Sequence, residues 1–353
     1  MQDLNVEMNG FYQDILGQPA ALRNLLNLYN PATGKALPAI PVPAAPLLTG
    51  MGSSYHAALA ASICLHSRGI RAQAMETTHL IYYGGPILNR CREVIYLSQS
   101  GASGEVIPFI DRLECGRVFL AITNDPNSPL AQRGDHVLSI AAQTETLVAC
   151  KTYLNSLALL WLLIRAWTGA TDGSEYASLE SVAAGLEAIL SQKQELTAAW
   201  MDYLGDTSTI ICTGQGPHTA TAMQAAQTLA EWCKVPAIGL SAGALRHGFI
   251  EVAGPGVGAI IFSGDGPAQA ASRRLAQELA GLGARTVLVE NGFSHFMQPA
   301  DRALPPERSA SGLDEFLTLL TDLLPVQLFS VALAQQRGLP PRFRYLDKVV
   351  RDL

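Results

Sequence analysis

The sequence predicts an α/β protein made of two doubly wound parallel sheets in the flavodoxin manner, each layered between helices as α-β-α. Three observations carry this. Short apolar runs alternate with stretches of helical spacing from residue 46 onward. Glycine turns close the strands, as at Gly50-Met51-Gly52 and Gly214-Gln215-Gly216, and each opens an alanine-rich helix. The order of motifs in the first half recurs in the second.

A leading amphipathic helix over 4–28 passes into a Pro/Ala-rich connector at 31–46, whose prolines cannot sit inside a helix or a central strand. Strands follow at 47–49, 72–76, 94–98, 118–123 and 136–140, with a helix over 55–67 and another after 105. Helical stretches at 152–167 and 177–203 lead to the second block. There 213–218 echoes 49–54, 260–266 echoes 94–101, and 285–288 echoes 117–120, so an internal duplication is expected. Domain limits are expected at 1–45 for the helix and connector, 46–172 and 173–338 for the two sheets, and 339–353 for a C-terminal tail.

The richest stretch is Ser98-Gln99-Ser100-Gly101-Ala102-Ser103-Gly104-Glu105, which hangs three hydroxyls on one strand-to-helix turn. Backbone amides at such a turn point outward, and with the hydroxyls they suit a phosphate without a metal. In the second half Gly264 and Asp265 stand where the echo would need hydroxyls, and Asp265 would repel an anion. One phosphate per chain is expected.

Charged residues make up only 15% of the 353, against 48% apolar, which points to surface covered by a second copy of the chain. A net charge of -6 with no basic run offers no footprint for nucleic acid or an anionic membrane. Cys64, Cys91, Cys115, Cys150, Cys212 and Cys233 are scattered, so neither a zinc site nor a disulfide framework is expected, and a reducing cytoplasm fits. The apolar run at 157–164 is too short for a bilayer, and the N-terminus does not read as a leader.

Gly50-Met51-Gly52-Ser53-Ser54-Tyr55, Ser98-Gln99-Ser100-Gly101, Thr123-Asn124-Asp125-Pro126, the stretch from Glu145 to Tyr153, Glu231, Leu245-Arg246-His247-Gly248 and the C-terminal Lys348 occur in that order. Together they resemble the sugar isomerase (SIS) domain family, in the double form of the isomerase half of glucosamine-6-phosphate synthase, amino-sugar-phosphate deaminases and fructosamine-6-phosphate deglycases. The resemblance covers nearly the whole chain. It implies that Ser98, Gln99, Ser100 and Ser103 hold a sugar phosphate, with Ser53 and Ser54 beside them on phosphate or ring hydroxyls. It implies further that Glu231 moves a proton between C1 and C2, that His247 opens the sugar ring from a neighbouring subunit, and that Lys348, on a tail over the active site, contacts the sugar. No cofactor and no metal are implied.

The residues support these roles on their own chemistry. Glu231 shares a helix face with Gln224 and Thr228 among apolar neighbours, where a carboxylate would be pushed toward the range a neutral-pH base requires. Histidine at position 247 belongs to the one side-chain type that ordinarily titrates near neutrality. Three departures bear on the reaction. Thr228 and Gln224 stand where the synthases carry a lysine and a glutamate, and Thr228 supplies no amine. The loop at 148–153 is one residue shorter, which displaces Lys151 or gives it a new role. The residues before 46 are too few for a glutamine amidotransferase domain, so glutamine-dependent synthesis is not expected. The sequence therefore reads as an enzyme acting at C1 and C2 of a 6-phosphorylated amino sugar or fructosamine, by deamination, deglycation or isomerisation. The alternative is a non-catalytic phosphosugar sensor acting on a partner protein; retention of Glu231, His247 and Lys348 separates the two, since a sensor needs no base.

Overall fold

In the first of two units, formed by Gly17–Glu180 with Arg344–Leu353, five short strands pair in parallel, the central ones rich in Leu, Val, Ile and Phe. They are β1 (Leu47–Gly50), β2 (Gln73–Glu76), β3 (Glu93–Leu97), β4 (Val118–Thr123) and β5 (His136–Ser139), in the order β2-β1-β3-β4-β5. The computed structural model describes residues 10–33, 36–113, 116–298 and 314–351. Cys115 and positions 4–9 of the expected first helix lie outside the described residues.

Parallel strands need crossovers, and the helices supply them while covering both faces of the sheet. Side chains alternate across a strand, and here both sets are buried. Leu47, Val94, Tyr96, Phe119 and Ala121 pack with Leu80, Ile81, Leu88, Val106 and Phe109. The opposite set, Leu48, Ile95, Leu97, Leu120 and Ile122, is equally buried. Helix α1 (Gly10–Leu16) belongs to the second unit, while α2 (Gln18–Tyr29), α3 (Ser53–His66), α4 (Thr77–Tyr83), α5 (Gly85–Leu88), α6 (Val106–Ile110) and α7 (Lys151–Trp167) belong to the first. The expected single helix over 4–28 is thus broken at Gly17, because Pro19 has no amide to continue a helix and sits instead in the first turn of α2. Helices α4 and α5, in the crossover from β2 to β3, are additions to the elements expected from the sequence.

The second unit takes Met1–Leu16 and Ser181–Phe343. After α8 (Glu175–Ser191) and α9 (Lys193–Leu204) come β6 (Thr209–Gly214), α10 (His218–Cys233), β7 (Ala237–Ser241), α11 (Ala242–Arg246), β8 (Val257–Ser263), α12 (Gln269–Gly281), β9 (Arg285–Glu290) and β10 (Phe293–Phe296). The helix expected over 177–203 is two helices, parted at Gln192, whose φ of -106° and ψ of 16° leave the helical region. The sheet order is β10-β9-β8-β6-β7, and β10 runs antiparallel to β9. The parallel sheet thus carries one antiparallel edge strand: Asn291 and Gly292 turn the chain straight back after β9, too short a link for a crossover. Ile211, Ala259, Ile261 and Leu288 face α11 and α12 through Leu245, Leu275 and Leu279. The long apolar stretch Glu315–Gln336 comprises α13 (Glu315–Asp322) and α14 (Leu324–Gln336); its residues are almost all buried and so serve as core.

Candidate active site

In a sheet of order 2-1-3-4-5 the crossovers depart in opposite directions from β1 and β3, which opens a crevice at their carboxyl ends. The two serine turns expected to bind phosphate both lie there, because β1 and β3 are hydrogen-bonded neighbours. They meet closely: a Cβ on Gly50 would stand 2.9 Å from Leu97 O and 2.8 Å from Ser54 Cβ. Ser53 and Ser54 are the first two residues of α3, and no side chain caps that helix. Their hydroxyls are therefore not consumed as caps, and they stand at the positive end of a helix of 14 residues.

The turn after β3 is braced by its neighbour. Ser98 N donates to Ile122 O (3.0 Å), Asn124 N to Gln99 O (3.0 Å) and Leu130 N to Gly101 O (3.0 Å). Gly101 takes φ +59°, and a Cβ there would fall 2.1 Å from Ser128 Oγ, so only glycine lets the turn seat against the 123–128 loop. Ser98 Oγ accepts from Gly101 N (3.1 Å) and Ser100 Oγ from Ala102 N (3.2 Å). A hydroxyl that accepts still has its own O–H to donate, so both can face an anion as donors. The amides of Ser100 and Ser103 donate to no acceptor among the described residues. The helix that follows is shorter than its apolar spacing predicts: α6 has 5 residues and stops before Leu113. The turn's donors, more than a helix dipole, make the seat.

A second loop reaches the same edge. Asn124 holds it, accepting from Ala142 N (2.9 Å) and donating to Gln143 O (2.8 Å). Ala141 and Gln143 are left-handed at φ 52° and 59°, a costly conformation for residues with a Cβ. The loop delivers Glu145, whose Oε1 accepts from Cys150 N (2.8 Å) and Thr152 N (3.1 Å) and whose Oε2 accepts from Thr152 Oγ1 (2.7 Å). Lys348 Nζ completes this set, 3.1 Å from Glu145 Oε2 and 2.7 Å from Leu147 O. Val350 O then accepts from Gly104 N (3.0 Å), so the C-terminal tail is fastened to the Ser98–Glu105 turn itself. Lys151 is buried at the start of α7 and donates to Thr144 O. Sequence reasoning names Lys348 but misses Glu145 as its anchor. The signal is the acid opening the 145–153 stretch, but nothing local shows that residue 348 returns to it.

The remaining expected residues belong to the second unit. Glu231, in the last turn of α10, is half-buried and accepts from Gln227 Nε2 at 2.7 Å. Gln224 and Thr228 on the same helix are fully buried, and Thr228 Oγ1 has no partner among the described residues. After β7, α11 makes a short helix capped by Ser241, and His247 closes it with an exposed side chain. Arg246 is paired with Glu278 at 2.6 Å.

This unit has its own switch point, between β6 and β8, and it is filled. A Cβ on Gly264 would meet His218 Nε2 at 2.6 Å and Thr318 Oγ1 at 2.7 Å, and one on Gly266 would meet the Glu315 carboxylate at 2.0 Å. His218 Nδ1 lies 3.5 Å from Asp322 Oδ2, both side chains buried. Burial pushes His218 down to about 3. The same desolvation raises Asp322 well above the usual carboxylate range, with Glu290 and Asp265 adding to it. Among the described residues no group of three or more His, Cys, Asp or Glu could hold a metal ion.

A family profile described as SIS domain matches residues 47–166. Glutamine--fructose-6-phosphate aminotransferase [isomerizing] of Shouchella clausii is 27% identical over 338 residues, covering 92% of this chain and 55% of that protein. The Lactococcus lactis protein of the same name is 27% identical over 358 residues, 96% of this chain and 58% of its own. The chain thus spans a little over half the length of these relatives. Among solved structures, the C-terminal domain of glucosamine-fructose-6-phosphate aminotransferase from Francisella tularensis superposes with a TM-score of 0.79 at 17% identity, covering 96% of this chain and 98% of that one. Glucosamine-6-phosphate deaminase from Thermotoga maritima gives 0.75 at 19% identity, covering 97% and 99%. The strand order, the serine turns at the β1–β3 crevice and the profile match agree within the first unit, where residues 47–166 are similar to the SIS domain.

Proposed function

We propose that this protein is a phosphosugar enzyme working at C1 and C2 of a 6-phosphorylated amino sugar or fructosamine. The observation that carries the reading is the fastening of the C-terminal tail within one unit, Val350 to Gly104 of the serine turn and Lys348 to Glu145 and Leu147 of the second loop, which keeps an amine close in sequence to the segment that meets the turn. Ser98, Gln99, Ser100 and Ser103 would hold the phosphate, and Ser53 and Ser54 the phosphate or a ring hydroxyl. His247 would pass a proton to the ring oxygen as the ring opens. Glu231 would take the proton from one carbon and return it to the other, through an enediol or enolamine. Either the carbonyl migrates, or the C–N bond breaks and the amine departs.

The similar proteins support the substrate class, since their names carry fructose, glucosamine and tagatose 6-phosphates. Deamination or deglycation is favoured over synthesis because Thr228 brings no amine. The exposed His247 supports a homodimer in which this residue serves a second copy, and the scattered cysteines support a cytoplasmic setting. Thermal-shift screening against hexose, amino-sugar and fructosamine 6-phosphates, followed by an ammonia or amino-acid release assay, tests the proposal. Binding with turnover abolished by Glu231→Gln is expected. Turnover untouched by that substitution would sink the catalytic reading, and binding with no turnover of any phosphosugar would favour a sensor.

A further inference from the structure

A second concavity lies at the opposite edge of the first sheet, where the strands begin. It has a volume of about 420 Å³ and is lined by Arg71, Arg90, Cys91, Arg92, Glu93 and the small Ala45, among others. The register explains why arginines converge there. Leu47 pairs with Gln73 on one side and Val94 on the other, so two residues earlier Ala45 is flanked by Arg71 and Arg92. Neighbouring strands are about 4.8 Å apart, which puts those two backbones roughly 10 Å apart with a methyl group between them. Two long guanidinium arms can close on one ligand across such a floor.

Charge makes the arrangement unusual. The chain as a whole carries 30 acidic against 24 basic residues, yet three arginines meet here with one acid, Glu93. Arg71, Arg90 and Arg92 form no ion pair with any carboxylate among the described residues. Arg117, which precedes β4, is near enough for its charge to act on the Cys91 thiol. Unpaired guanidiniums repel one another, and a bound dianion would relieve that cost while accepting their paired N–H donors. The cavity falls in the size range of small-molecule sites.

We infer that this strand-start pocket binds the dianionic phosphate group of a small phosphorylated molecule, bracketed by Arg71 and Arg92, as a site separate from the serine turns. It does not depend on the proposed enzymatic function. Cys91 is a built-in reporter, because it lies in the pocket and is half-buried.

The test uses the full chain with inorganic pyrophosphate as the probe. Alkylation of Cys91 by iodoacetamide, located by mass spectrometry, is expected to slow as pyrophosphate saturates the pocket. Arg71→Ala or Arg92→Ala should weaken that protection about tenfold, the loss of a charge-assisted hydrogen bond, while Ser98→Ala with Ser100→Ala leaves it in place. Equilibrium dialysis gives an answer that does not rely on the thiol. Two pyrophosphates per chain are expected, one removed by the double arginine variant and the other by the double serine variant. Protection and stoichiometry both indifferent to the arginines would overturn the inference. A loss confined to the serine variant would overturn it too, and would assign the bound pyrophosphate to the phosphate seat.

Discussion

The turns after β3 and β8 occupy the same place in two sheets of the same order, yet one is open and the other is shut. After β3, Gly101 lets the chain fold back on Ser128, and the amides of Ser100 and Ser103 are left without an acceptor among the described residues. After β8, Gly264 and Gly266 let His218, Thr318 and Glu315 press into the corresponding space. In both turns the missing Cβ makes room for the protein's own side chains, Ser128 and Thr123 at Gly101 and His218, Thr318 and Glu315 at Gly264 and Gly266, so what sets the turns apart is the donors left over beside the first. A switch point is therefore only an opportunity, and the elements packed over it decide whether it becomes a site.

The largest effect should come from filling the two glycines. Gly101→Ala must hold φ +59° and collide with Ser128, so a loss of roughly 3 kcal/mol, about 10 °C in Tm, is expected together with loss of phosphosugar binding. Gly264→Ala meets only side-chain atoms of His218 and Thr318; it should cost about 1–3 kcal/mol and leave binding unchanged. Equal loss of binding in both variants would erase the distinction between the turns.

The shut turn should also reveal itself through pH. His218 falls from 6.5 to about 3 on folding, so between those values the unfolded chain holds a proton that the folded chain refuses, and stability drops on acidification. Asp322 is raised from 3.8, so the folded chain keeps a proton that the unfolded chain releases, and its contribution has the opposite sign. Glu290, paired with Arg273, and Asp265 face the same pocket and strengthen that opposition. Asp322→Asn keeps an acceptor for Gly292 N and removes the opposing titration. Urea unfolding of this variant should then lose about 2 kcal/mol between pH 6.5 and 5, more than the unaltered protein loses. An identical pH slope in both would refute the pairing.

Around the open turn, Glu145→Gln weakens the hold on Lys348 and should cost about 1–2 kcal/mol, since the buried acceptor survives but its charge does not. Limited proteolysis should find the tail after 343 more readily cleaved, and phosphosugar affinity should fall with it. The smallest effect separates the two serines that end the strands. Ser263 Oγ is buried without a partner among the described residues, so Ser263→Ala should stabilise by about 1 kcal/mol without touching binding. Ser98→Ala should leave stability nearly unchanged and lower phosphate affinity about tenfold.

Much of this architecture is legible in the residues alone. Apolar runs at 94–97, 118–123 and 209–214 are strands because their alternation buries both faces, a local property of the chain. The hydroxyl turn at Ser98–Ser103 is legible for the same reason: its donors lie within six residues. Less visible are α4 and α5, short helices whose stability comes from Leu80, Ile81 and Leu88 packing on the sheet rather than from caps. The break between α8 and α9 escapes too, since no proline or glycine marks Gln192.

By itself, the sequence determined the sheet pattern and the hydroxyl-rich turn at Ser98–Ser103, because periodicity and turn chemistry act over a few residues. Only the tertiary structure decided that Lys348 is anchored by Glu145, 203 positions away in the chain, that the second switch point is closed by Glu315 and His218, and that three arginines line one cavity. Each of those depends on strand register and on which distant segment packs over a turn. Such contacts are set by the total burial of a unit rather than by any one residue's preference.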